Sequence, residues 1–210
     1  MMYHSVQYVG MPDDPRQRLL DAAIDYVAGH GIADLSLRRL AEELGTSHRM
    51  LIHHFGSKEG LWVAIVREVE RRQLAAVDDL VPDGAASFAD ATRAWWRHIS
   101  DPSLWPNERL FFEVYGQGLQ GRAPAVEMLD GVVDSWVEPA AAIAVEMGMD
   151  PDVAAPFARL GVAVTRGLLL DLLATGDREA VDAAMEHWIA LNAPLFEAAQ
   201  RPTTGRLPAV

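Results

Sequence analysis

Apolar positions recur at helical spacing from residue 14 onward. Leu19, Leu20, Ala23, Ile24 and Val27 mark one face of a first helix. Asp14-Pro15-Arg16-Gln17 gives that helix an N-cap acid, a proline at its first position and a glutamine three residues after the cap. Gly29 and Gly31 end it. Leu37, Leu40, Ala41 and Leu44 predict a second, short helix capped by Ser36 and closed by Gly45. Ser47 starts a third, with Leu51 and Phe55 on its inner side. After a Gly56-Ser57 break, a fourth helix is expected from Lys58 to about Leu80, roughly 35 Å long.

Val81-Pro82-Asp83-Gly84 is the clearest interruption. Five further helices are expected at about 86–99, 104–119, 124–147, 152–175 and 178–199, separated by Asp101-Pro102, Gly121 to Pro124, Asp150-Pro151 and Gly176-Asp177. No hairpin dipeptide is flanked by alternating β-branched residues, so the chain is expected to be all-α, with about nine helices. The stretch from Asp152 to Ala174 is apolar almost all round, which predicts a helix buried on several sides. The last segment is amphipathic, with Val181, Met185, Trp188, Ile189 and Leu191 among its apolar positions.

Charge changes the picture along the length. The chain carries 30 acidic and 18 basic residues, a formal net charge of −12. Residues 1–72 hold nine Lys/Arg against ten Asp/Glu, leaving nine against twenty for the remainder. Only the first third could approach a polyanion without strong repulsion. There is no cysteine, which removes thiolate catalysis, disulfides and cysteine-based metal sites. Met1 to Met11 lacks the basic start and apolar run of a signal peptide. The run Leu160–Leu173, broken by Arg166 and Asp171, reads as too short for a bilayer, so a soluble, cytoplasmic protein with no membrane partner is expected.

Two short helices joined by a tight glycine turn, the second opening on Ser/Thr, form a helix-turn-helix pattern. The first helix of such a unit braces the second, whose N-terminal residues lie along major-groove base edges. Helix starts near Ser36, Ser47 and Ser57 add backbone N–H groups suited to phosphate. Across residues 18–66, Arg-Leu-Leu-Asp-Ala-Ala, His-Gly, Leu-Ala-Glu-Glu-Leu-Gly-Thr-Ser and His-His-Phe-Gly-Ser-Lys-Glu-Gly-Leu follow in order. This run strongly resembles the DNA-binding domain of the TetR family.

The resemblance implies an N-terminal three-helix helix-turn-helix domain followed by a C-terminal helical ligand-binding and dimerisation domain. It places Arg38, Ser47, His48, Arg49, Met50, His53, His54 and the chain's one lysine, Lys58, among the DNA-binding candidates. Two positions depart from the family pattern: Arg49 replaces a small residue or proline, and Ile52 replaces a tyrosine. The first offers a base contact such as a bidentate one to guanine, the second removes a backbone contact. An atypical operator is therefore expected. The implied organisation is a flexible arm at 1–13, a DNA-binding domain at 14–56, an effector-binding and dimerisation domain at 57–200, and a flexible tail at 201–210.

Seven of the 16 Phe, Trp and Tyr residues fall between Trp95 and Trp136. Apolar, aromatic linings suit small-molecule pockets, and ordinary core packing is the competing reading of the same residues. The resemblance implies an effector pocket in these middle helices, with Trp96, Phe112, Tyr115, Trp136 and Arg166 as candidates. Arg97 and Arg109 could also meet an anionic effector, and Glu113 a cationic one; structural ion pairs are the alternative. His48, His53 and His54 are close in sequence, yet adjacent histidines point about 100° apart on a helix, and no metal is expected. No nucleophile elbow, phosphate loop or paired Glu-x-x-His signature occurs, so neither enzyme activity nor a cofactor is expected. The expected partners are near-palindromic double-stranded DNA, a second copy of the chain and a small-molecule effector. The expected function is a transcriptional repressor released from its operator by that effector. A helical ligand-binding dimer that has lost DNA binding is the alternative.

Overall fold

The computed structural model describes residues 14–31, 35–80 and 87–199. The expected arm at 1–13, the break at Val81–Gly84 and the tail at 201–210 lie outside the described residues. Among the described residues there are nine α-helices and no strand: α1 (Pro15–His30), α2 (Leu37–Glu43), α3 (His48–Phe55), α4 (Lys58–Leu80), α5 (Phe88–Ile99), α6 (Trp105–Leu119), α7 (Asp134–Glu146), α8 (Pro151–Thr175) and α9 (Arg178–Ala199). Short 3-10 turns at Pro102–Leu104 and Ala125–Met128 lie on either side of α6.

The chain divides into two compact units. The first comprises the described residues of Met1–Glu70 together with Pro106–Met128. Its core draws Leu20, Ala23, Ile24 and Val27 from α1, Leu40 and Ala41 from α2, Leu51 and Phe55 from α3, and Leu61, Ile65 and Val66 from α4. Leu110, Phe111 and Val114 of α6 are buried in the same unit. Capping sets the first helix: the Asp14 carboxylate accepts from Arg16 N–H at 2.9 Å, with Pro15 at the first position. Gln17 does not complete a capping box; its amide donates forward to Asp21 at 2.9 Å.

The second unit comprises the described residues of Arg71–Trp105 and Leu129–Val210. Here α7 packs on α8, and α9 packs on both α5 and α8. Phe88, Phe157 and Phe196 cluster around Ala144 and Ala154. Three polar contacts run along the α5–α9 seam. Arg93 donates two hydrogen bonds of 2.8 Å to the Glu186 carboxylate, the Trp96 indole donates to Asp182 at 2.7 Å, and Arg178 donates to the Ser100 hydroxyl at 2.8 Å. Positions 93, 96 and 100 thus meet 186, 182 and 178 in reverse order, the register of antiparallel helices. Between them Val181, Met185 and Ile189 fill the core at helical spacing.

Two expectations change. The segment expected as one helix at 124–147 is helical as α7 only from Asp134. Gly131, at φ +73°, turns the chain between the short Ala125–Met128 turn and α7, a left-handed conformation glycine adopts without strain. Nor is α8 buried on several sides. Ala154, Ala158, Leu169 and Leu172 are buried, whereas Val153, Leu160 and Leu170 are 53, 54 and 50 % exposed. The helix has 25 residues and is long and apolar enough to cross a membrane by length and composition, so the estimate from its inner run alone was too short. Core helices of soluble proteins meet the same criterion.

Candidate nucleic-acid interface

The first unit builds its exposed site from α2, α3 and the start of α4. Ser36 Oγ accepts from Arg39 N–H and Ser47 Oγ from Met50 N–H, each at 3.2 Å, fixing where both short helices begin. The turn between them is a Schellman closure. Thr46 N–H donates to Ala41 C=O at 2.9 Å and Gly45 N–H to Glu42 C=O at 3.1 Å, with Gly45 at φ +63°. Leu37, Leu40 and Ala41 of α2 and Leu51 and Phe55 of α3 are buried, so each helix is held by its inner face.

What remains outside is polar and basic. Arg38 and Arg39 on α2 are exposed, as are Ser47, His48, Arg49, Met50, Ile52 and His53 on and beside α3. The Arg16 guanidinium stands 5.1 Å from the Phe55 ring centroid, tying the start of α1 to the end of α3. His54 differs from the rest. It is half-buried, and its Nε2 is enclosed with no hydrogen-bond partner. A phosphate contact through that atom needs the ring to turn.

The α3–α4 junction contains a residue that the motif did not single out. Ser57 Oγ accepts from Gly60 N–H at 3.0 Å, and a Cβ on Gly60 would lie 2.1 Å from the Phe55 carbonyl oxygen. Only glycine lets α4 begin that close to the end of α3. A glycine inside a helix costs about 1 kcal/mol relative to alanine, which was the available signal. Lys58, in the first turn of α4, is half-buried with its Nζ 5.8 Å from the Trp62 ring centroid.

The effector candidates are divided between the two units. Phe112 and Tyr115 belong to the first unit, where Phe111 contacts both rings at 5.3 and 5.6 Å between centroids. Trp96, Trp136 and Arg166 belong to the second. Trp96 is buried with its indole N–H committed to Asp182, and Trp136 packs on Trp95 at 5.1 Å. Arg166 donates to Val132 C=O at 2.9 Å. Arg97 is exposed, and Glu113 accepts from Gln117 at 3.3 Å. Among the described residues no three His, Asp or Glu side chains converge on a point that could hold a metal.

An all-helical chain whose N-terminal unit displays a serine-capped, basic helix beyond a glycine-closed turn is a helix-turn-helix protein. Residues 19–65 match the family model of the bacterial regulatory proteins of the tetR family. The HTH-type transcriptional repressor AcnR of Corynebacterium glutamicum is 38 % identical over 90 residues, covering 42 % of this chain and 48 % of AcnR. The HTH-type transcriptional regulator BetI of Klebsiella pneumoniae is 32 % identical over 82 residues, covering 38 % of this chain and 42 % of BetI. These matches span about half or less of the curated relatives. Over nearly the full length, a transcriptional regulator from Rhodococcus sp. Rha1 shares the fold at TM-score 0.70 and 20 % identity, covering 90 % of this chain and all of that one. The multidrug binding protein EbrR, crystallised with imidazole, has TM-score 0.57 and 28 % identity, covering 91 % of this chain and 94 % of EbrR. Residues 19–65 are thus similar to the bacterial regulatory proteins of the tetR family, and the described chain shares its fold with a solved transcriptional regulator.

Proposed function

We propose that the protein is a dimeric, cytoplasmic transcriptional repressor, with no enzymatic role, that α2 and α3 hold on a near-palindromic operator until a small molecule releases it. The observation that carries the reading is the α3 surface: its apolar side is buried, and its outer side offers Ser47, His48, Arg49 and His53 beside Arg38 and Arg39 of α2. Arg49 supplies a planar donor fork matched to guanine O6 and N7. Lys58 and the N–H groups at the start of α4 supply phosphate contacts, and His54 adds one if its ring turns.

Self-association follows from the second unit. Val153, Leu160 and Leu170 on α8, with Leu191 and Leu195 on α9, are each half exposed or more. Apolar surface concentrated on two neighbouring helices marks an interaction face, and a second copy is the occupant the family suggests. Two recognition helices then meet half-sites about 34–36 Å apart, or multiples of that spacing.

For the effector, Phe112 and Tyr115 are half-buried rings of the first unit, whereas Trp96 and Arg166 already hold the second unit together. EbrR, described as a multidrug binding protein, supports a small-molecule ligand. Release is transmitted through α4. Arg67 of α4 donates to the Glu127 carbonyl at 3.1 Å, just beyond α6, so displacement of α6 pulls on the helix that starts at Lys58. Coupling of about 1–3 kcal/mol changes operator affinity roughly 5–150-fold.

The test is selection of sheared genomic DNA from the source organism by the purified protein at low salt, repeated with Arg49→Ala and Lys58→Ala. The expected result is one or a few near-palindromic sites, weakened by both substitutions. No enrichment by the unaltered protein would defeat the repressor reading in favour of a ligand-binding dimer without DNA function.

A further inference from the structure

The outer surface of α3 is not uniformly polar. Leu51 and Phe55 face the core, which at 100° per residue puts Arg49 and His53, one turn apart, on the outermost ridge. Met50 and Ile52 occupy the two shoulders, roughly 80° to either side of that ridge. They are 40 and 37 % exposed. Among the described residues the first unit has only two other large exposed hydrophobics, Leu119 and Val126, so half of them sit on this eight-residue helix.

A partner that matches this surface is anionic yet offers small apolar spots at the level of the arginine. The major groove of DNA does both, since phosphates line it and the thymine C5-methyl is the apolar group on its base edges. The two shoulders are not equivalent. Isoleucine is β-branched and largely held to one χ1 rotamer in a helix, so it presents its methyl groups at lower ordering cost than methionine, which has three flexible torsions. Resting on the DNA-binding reading above, we infer that Ile52 is a specificity-determining residue whose side chain packs on a thymine methyl. It lies three residues beyond Arg49, a rise of about 4.5 Å, which places that thymine about one base pair from the base Arg49 reads.

The experiment begins with a randomised duplex library selected by the full-length protein. In the recovered operator each thymine is replaced singly by deoxyuridine, which removes the methyl and leaves every Watson–Crick group in place. Affinities are then measured for the unaltered protein, Ile52→Ala and Met50→Ala, with thermal melts confirming that both variants fold. One thymine per half-site is expected at which deoxyuridine weakens the unaltered protein roughly fourfold, the worth of one buried methyl. Ile52→Ala abolishes the difference between thymine and uracil there, and Met50→Ala preserves it. Equal thymine–uracil differences in the unaltered protein and Ile52→Ala at every position overturn the assignment, as does a difference that vanishes only in Met50→Ala. Failure to recover any duplex overturns the DNA-binding reading itself, and this inference with it.

Discussion

Arg49 and Lys58 are both cations in the DNA-binding reading, and they separate cleanly in experiment. Arg49 projects from the exposed ridge of α3 and is placed to meet a base edge. Arg49→Ala is expected to cost about 1–3 kcal/mol of discrimination at one operator position and to relax the preference there, as read by competition with single-base variants. Lys58 sits at the start of α4, beside the backbone rather than the bases in this reading. Lys58→Ala should weaken all sequences about evenly and reduce the slope of log affinity against log salt by about one, measured by fluorescence anisotropy over a salt series. The serine caps that place these side chains were readable directly, because Ser, Asp and Asn satisfy helix-start N–H groups wherever they stand. The orientation of Ile52 followed equally from period alone once Leu51 and Phe55 were inside. The enclosure of His54 Nε2 did not, since the shielding of one ring atom depends on packing that no local spacing encodes.

Two contacts govern how the elements are held. Gly60 is one. Gly60→Ala sets a methyl against the Phe55 carbonyl, and either α3 or α4 must shift. We expect a stability loss of about 1–3 kcal/mol in chemical denaturation, with operator affinity falling further than stability accounts for, because both α3 and the start of α4 carry proposed DNA contacts. The Arg93–Glu186 pair on the α5–α9 seam is the other. Hydrogen bonds from the Arg93 guanidinium, opposed by burial and reinforced by its charge, hold the Glu186 carboxyl below its ordinary value. A carboxylate so depressed stabilises the fold above its unfolded pKa and loses that contribution as pH falls through the lowered folded value. Arg93→Ala should therefore lower Tm near neutrality and lower it less near pH 3, followed by circular dichroism.

Element starts and stops were the most legible part of the fold. Asp14, Ser36, Ser47, Ser87, Asp101 and Asp150 each accept from an N–H at the start of the helix that they introduce. Gly176 closes α8 in the left-handed conformation. The helix expected at 124–147 begins only at Asp134, because the backbone turns at Gly131. The expected burial of α8 failed for a different reason. An apolar pattern reports what a helix needs to cover, not whether its own chain covers it.

At the scale of the whole molecule, that uncovered surface makes a direct prediction. Leu170→Glu puts a charge on an exposed face of α8 and leaves Leu169 and Leu172 inside. Sedimentation should show a monomer of unchanged helicity, and the affinity for a two-half-site operator should drop to that of a single half-site. The expected boundary between a domain at 14–56 and one at 57–200 is a proposal about function. The compact units are drawn elsewhere, with α6 and the turn after it grouped with α1, α2 and α3. Sequence pattern gave no hint of this, because buried positions on α6 look alike whichever neighbour covers them.

That grouping has a consequence for how the protein is made. The unit bearing the recognition helix has its last buried residues, Ala125 and Met128, near the end of Pro106–Met128. On the ribosome, α1 to α3 emerge early yet wait for the next 58 residues after Glu70, roughly 3–12 s at 5–20 residues per second. During that interval the nascent chain lacks the part of this unit that Pro106–Met128 supplies. The unit that contains α3 is therefore complete only when more than half the chain has been synthesised.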